Sequence, residues 1–133
     1  MTSTVLATAR PVREPARDEK SGAWAAGFAV AVTEHEPVFT GHYPDFPIFP
    51  GVCVMECVRR AAESAPPPEA GELRLAAVES TRFLAAVHPG DDLTIEVTWS
   101  QRAEGWRCAA KVATAHGQVA TLRLGYRQEV PAC

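Results

Sequence analysis

His42, Gly51 and Glu56 fall within one stretch of 15 residues and bring together an imidazole, a bare backbone N–H and a carboxylate. His42 opens the segment HYPDFPIFPG, in which Pro44, Pro47 and Pro50 recur every third residue and exclude both helix and ladder pairing. An imidazole fixed by such a rigid loop beside apolar walls suits a general base, because its neutral form tolerates burial. A histidine that merely bonds a loop carbonyl satisfies the same pattern. Glu56 stands between Met55 and Cys57, in a stretch otherwise made of Val, Cys and Met. The helix dipole would lower its pKa by under about 1 kcal/mol and fades within the first turn. Burial would raise it by up to roughly 3–5 units. Burial is expected to dominate, leaving Glu56 partly protonated and fit to donate a proton; the plainer alternative is a glutamate at a helix edge facing water. Gly51 follows Pro50 at the start of the same segment. Its N–H has no intrahelical acceptor and no side chain in the way, so it is suited to polarising a carbonyl oxygen.

These groups need elements to hold them. After Pro50 and Gly51 no breaker occurs until Pro66, which predicts a helix over about 51–64. Its first half, VCVM, is apolar on all sides, as expected of a helix surrounded by other elements. WAAGFAVAVTEHEPVFTGH, from Trp24, is an apolar, β-compatible run. APPPEAGE (65–72) is a linker or turn. Beyond it LRLAAVESTRFLAAV, DLTIEVTWSQ, GWRCAAKVATA and GQVATLRLGYRQ alternate roughly as strands, separated by the turn segments HPGDD, RAEG and HG. One helix followed by a meander predicts an α+β fold, with an antiparallel sheet packed on a single central helix. Residues 1–20, rich in charge and containing Pro11 and Pro15, carry too little apolar surface and are expected to form a flexible arm ahead of a single domain over 21–133.

The chain has 133 residues, 47% of them apolar, which bounds it to one domain with a real core. Thirteen bases against 16 acids give a net charge of −3, which argues against a nucleic-acid binder. No apolar run approaches the roughly 20 residues of a bilayer span. No basic segment followed by an apolar stretch opens the chain, so the expected compartment is the cytoplasm and no membrane is expected as a partner. Cys53, Cys57, Cys108 and Cys133 read as reduced thiols, and the spacing of cysteines and histidines matches no zinc motif, so no metal is predicted. His35, His88 and His116 are scattered singly.

The segment FTGHYPDFPIFPGVCVMECV resembles the active-site segment of the FabZ-type β-hydroxyacyl-(acyl carrier protein) dehydratases of the hotdog superfamily. The shared features are a Gly-His-aromatic-Pro start, a Pro-Gly at the helix N-terminus, and an acidic residue fourteen positions after the histidine. STRFLAAVHPGDDL resembles the family's strand leading into a Pro-Gly-Asp turn, and the likeness covers about 24–127. It implies the hotdog fold, a sheet wrapped around the helix, and a reaction that needs no cofactor. His42 would abstract the α-proton of a 3-hydroxyacyl thioester, Glu56 would protonate the departing β-hydroxyl, and the Gly51 N–H would hold the thioester oxygen. Tyr43, Phe49 and Phe83 would line the substrate site. The implied partners are an acyl carrier protein and a second hotdog chain, identical or related, because each site in the family is shared across a dimer.

Several positions depart from the family pattern. Asp45 and Phe46 stand where Gly and often a base are usual, Tyr43 replaces Phe, and Arg60 replaces a common Gln. Arg59 stands where a small residue is usual. Leu84, Ala85 and Ala86 lack the family's basic and proline residues. These changes point to a polyketide or other secondary-metabolite enzyme rather than a housekeeping one. An acidic carrier would need a local basic patch on this acidic chain, for which Arg59, Arg60, Arg82, Arg102 and Arg107 are the candidates. Two alternatives stay open: a hotdog thioesterase, and a catalytically weak partner subunit of a heterodimeric dehydratase.

Overall fold

The computed structural model describes residue 5 and residues 7–41 and 48–128. In chain order its elements are β1 (Arg10–Arg17), β2 (Trp24–Ala31), a short helix α1 (Pro37–Gly41), the long helix α2 (Gly51–Ser64), β3 (Leu73–Phe83), β4 (Asp92–Arg102), β5 (Gly105–Thr114) and β6 (Gly117–Gln128). The strands form one antiparallel sheet in the order β1-β2-β4-β5-β6-β3. Alternation sends Leu93, Ile95, Val97 and Trp99 of β4 to the buried face, along with Cys108, Ala110 and Val112 of β5 and Leu122 and Leu124 of β6. Register puts Ile95 opposite Val112 and Cys108 opposite Leu124, so the apolar layer is continuous across the strands. Cys53, Val54, Cys57, Val58, Ala61 and Ala62 of α2 complete the same core. The expected α+β sheet with one main helix is therefore the observed fold.

Helix α2 runs from Gly51 to Ser64, matching the span set by Pro50 and Pro66. Its opposite stripe, Val52, Glu56, Arg59 and Glu63, recurs at helical spacing and faces away from the core. Val52 is exposed, so the apolar first half of the helix is not enclosed on every side within one chain.

The N-terminal expectation is corrected. Residues 10–17 are not a free arm but the edge strand β1, paired with β2. Ladder hydrogen bonds involve the backbone and need no apolar side chain, which is why a charged segment can join the sheet. Register shifts fall between Pro11 and Arg13 and between Arg13 and Ala16, where Pro11 and Pro15 have no N–H to give. Arg13 also reaches across to pair with Glu96 of β4. A second difference lies after β2: the apolar run from Trp24 stops as strand at Ala31, and Pro37 opens α1, its fixed φ being suited to a first helical position.

Candidate active site

The head of α2 is built by Pro50 and Gly51. Pro50 is the N-cap in extended conformation, and its carbonyl accepts from Cys53 N at 2.9 Å and Val54 N at 3.1 Å. The ring of Phe83, at the end of β3, lies directly over Gly51. A Cβ there would stand 2.9 Å from Phe83 Cζ, so glycine is what lets the ring and the helix head approach. Phe83 is 48% exposed and forms an open wall. Phe49 does not: it is 2% exposed, packs its ring 6.1 Å from that of Phe39, and donates its N–H to the Val87 carbonyl at 2.7 Å. It anchors the loop into the core rather than lining an open pocket. His42 and Tyr43 lie outside the described residues.

Glu56 sits one turn beyond Gly51, its side chain 27% exposed. Arg59 and Arg60, three and four residues on, both reach back to it. Arg59 Nη2 pairs with Oε1 while Arg59 Nε donates to Oε2 at 3.3 Å. Arg60 Nε donates to Oε1 at 3.2 Å. The hydrogen bond from Arg59 comes first in holding the Glu56 carboxyl below its ordinary range; burial pushes the other way and is outweighed by the two guanidinium groups together. This corrects the expectation of a partly protonated proton donor. Glu56 is a clamped carboxylate, because two guanidinium groups at i+3 and i+4 reach back to it.

The clamp extends along the stripe. Arg59 Nη1 also donates to Glu63 at 3.1 Å, and Glu63 Oε2 accepts from the Tyr126 hydroxyl of β6 at 2.9 Å. Burial is the main cause that pushes the Tyr126 phenol up. Arg60 turns the other way, toward the carbonyls of Val5 and Ala7. Sequence reasoning missed Glu36, a carboxylate only 1% exposed that accepts the Ala7 N–H at 2.8 Å. Its sole sequence signal is its place just before Pro37, where a helix starts.

Of the five arginines expected to dock a carrier, Arg59 and Arg60 are therefore engaged on Glu56, and Arg107 pairs with Glu79 at 2.6 Å. Among the described residues no acidic group pairs with Arg82 or Arg102. Arg82 shares a groove of about 500 Å³ on the sheet with Lys111 and Arg123.

Residues 17–122, which include the helix head, the clamp and Phe83, match the family profile of the ApeI-like dehydratases, described as ApeI dehydratase. The chain belongs to the ApeI-like dehydratase family. Among curated relatives of this family member, the 3-hydroxyacyl-[acyl-carrier-protein] dehydratase FabZ of Solibacter usitatus (strain Ellin6076) is 40% identical over 93 residues. That alignment covers 66% of this chain and 57% of the relative, so the chain spans less than two thirds of that protein's length. The ApeI-like chain superposes on the dehydratase heterocomplex ApeI:P from Xenorhabdus doucetiae with a TM-score of 0.67 at 17% identity, covering 77% of this chain and 87% of that one. It also superposes on a hot-dog-like protein from Thermanaerovibrio acidaminovorans with a TM-score of 0.61 at 22% identity, over 77% and 78% of the two chains. The fold is the hotdog fold, of FabZ type, as the motif resemblance implied. No helix among the described residues is long and apolar enough to cross a membrane.

Proposed function

We propose that this protein is a hydro-lyase that removes water from a 3-hydroxyacyl thioester on an acyl carrier protein, giving the trans-2-enoyl thioester. The observation that carries the reading is the head of α2: Gly51, bare beneath Phe83, with Glu56 five residues along the same helix. Dehydration breaks one Cα–H bond and one Cβ–O bond. The thioester carbonyl makes the α-proton acidic, so a Gly51 N–H aimed at its oxygen stabilises the enolate character that develops. His42, fourteen residues before Glu56, takes the proton. Glu56, held as a carboxylate by Arg59 and Arg60, accepts a hydrogen bond from the β-hydroxyl and fixes the Cβ–O bond. The His42 imidazolium then returns its proton to the departing oxygen, and water leaves with every protein group restored. Tyr43 and Phe83 wall the acyl chain.

The working unit in this reading is two chains, identical or related. β3 is an edge strand among the described residues; Val78 within it, Phe83 at its end and Leu84 just beyond are exposed apolar side chains, and Phe83 lies against Gly51, next in sequence to exposed Val52. One neighbour in fold is by name a heterocomplex, which favours keeping a related second chain alongside a homodimer. Arg82, which shares its groove with Lys111 and Arg123, is the candidate best placed to meet an acidic carrier, with Arg102 in a separate groove. The substitutions at Arg59 and Arg60 favour a polyketide or other secondary-metabolite pathway.

The test is intact-mass analysis of a 3-hydroxybutyryl carrier after incubation with the protein. Loss of one water is expected. Loss of the whole acyl group would instead identify a thioesterase, and an unchanged mass a weak partner subunit. His42→Ala and Glu56→Gln should both suppress the loss of water.

A further inference from the structure

Arg60 joins parts of the chain that are far apart in sequence. Its Nε donates to Glu56 Oε1 at 3.2 Å, while Nη1, on a different edge of the same rigid plane, donates to the carbonyls of Val5 at 2.9 Å and Ala7 at 3.2 Å. Ala7 is gripped from its other side by the buried Glu36, which accepts its N–H at 2.8 Å. The Val5 side chain is itself in the core. The segment ahead of β1 is thus fastened by an arginine of α2 and by a glutamate just before α1, and the arginine that fastens it also touches the candidate catalytic carboxylate.

We infer that Arg60 is a positioning residue that couples docking of the N-terminal segment at Val5 and Ala7 to the placement of the Glu56 carboxylate. A guanidinium is a planar fork, so two carbonyls holding one edge fix where the other edge points. With the segment docked, Nε is aimed at Glu56 Oε1. With the segment lifted, those two acceptors are lost, Arg60 is free to turn to water, and Glu56 is held by Arg59 alone. A lysine would keep the charge and lose the fork. The charged groups acting on Glu56 are Arg59 and Arg60 of its own helix. Glu63, with Tyr126 of β6 behind it, joins this network through Arg59, and Glu36 joins it through Ala7. The catalytic consequence rests on the reading of Glu56 as an active-site carboxylate; the coupling itself does not.

The experiment is a carbon-detected titration of the Glu56 carboxyl in the full chain, with turnover measured on the same samples. Ala7→Pro removes the N–H that Glu36 holds, keeps the carbonyl that Arg60 reaches, and changes no residue of α2. It should move the Glu56 midpoint up by about 0.5–1 pH unit, the size of one charge-assisted contact on a partly exposed carboxylate. Arg60→Gln and Arg60→Lys should each abolish the response to Ala7→Pro, so that each double variant titrates with its Arg60 parent. In turnover, Ala7→Pro should lower kcat several-fold at nearly constant KM. A folded Ala7→Pro protein whose Glu56 titrates as in the parent overturns the inference, as do shifts that simply add in the double variant. Should Ala7→Pro fail to fold, Glu36→Gln loosens the same grip and is held to the same outcomes. A Glu56→Gln protein as active as the parent would sink the catalytic reading of Glu56 and leave the titration result standing.

Discussion

Replacing Gly51 by alanine tests the helix head most directly. An ideal Cβ at this position would stand 2.9 Å from Phe83 Cζ and 3.0 and 3.1 Å from Cε2 and Cε1. Contacts that short cannot persist, so either the ring or the helix must move. The ring is the softer partner, being half exposed at the end of an edge strand. Overpacking a closed core costs about 1–3 kcal/mol, and a ring free to swing toward water avoids most of that. Alanine also gains up to about 1 kcal/mol over glycine within a helix, less in its first turn. The two effects nearly cancel, so Tm should stay within about 4 °C of the parent. Activity should not be spared. The methyl group and the displaced ring both crowd the N–H assigned to the thioester oxygen, and losing one such donor costs about 10²–10³ in kcat. Thermal unfolding and enoyl-thioester formation, measured on the same preparation, should therefore diverge: an almost unchanged Tm with kcat down about 100-fold. A Gly51→Ala protein within about threefold of parental kcat would refute the reasoning that this N–H must stand clear of side chains to serve the thioester oxygen, since a blocked donor should act as a lost one. Adding Phe83→Ala removes the clash; recovery of kcat in the double variant would transfer the effect from the amide to the ring.

Two further outcomes follow from shifted titrations. Burial pushes the Cys57 and Cys108 thiols up to about 12, so neither should be alkylated by iodoacetamide near about pH 8 in the folded protein, and both should react once guanidinium unfolds it, as read by peptide mass spectrometry. Glu56 has its pKa lowered in the fold from an ordinary value of 4.5, first by the Arg59 hydrogen bond, so its contribution to stability is present above that value and is lost as pH falls through the folded value. Arg59→Gln should therefore flatten the acid limb, and denaturant midpoints between about pH 5 and 3 should decline less steeply than in the parent. An equally steep decline would mean that the clamp does not hold the carboxylate in solution.

What the sequence disclosed and what it hid follow from which forces are local. The limits of α2 were legible because Pro50 and Pro66 act on their own backbone, and β4 to β6 because alternation writes the buried face directly into residue order. β1 was not legible, since an edge strand is held by backbone bonds that any residue can make and its eight side chains are all exposed. The state of Glu56 was legible and misjudged. Once 51–64 is a helix, Arg59 and Arg60 fall at i+3 and i+4 from Glu56, the spacing at which a base reaches back to an acid. These partners one turn away outweigh both dipole and burial, and holding Glu56 is what turns Arg59 and Arg60 from the carrier-facing role expected of them.

The grip of Arg60 on Val5 and Ala7 lies at the other extreme. It spans more than fifty residues and ends on backbone carbonyls, which every residue carries and no composition can mark. Only Glu36 leaves a trace in the sequence, as a carboxylate ahead of Pro37, and its burial depends on the N-terminal segment folding back across it. The same segment that residue order describes as charged and unanchored is thereby tied to the candidate active site. Its tie runs through Arg60, one guanidinium that reaches Glu56 from one edge and two backbone carbonyls from another.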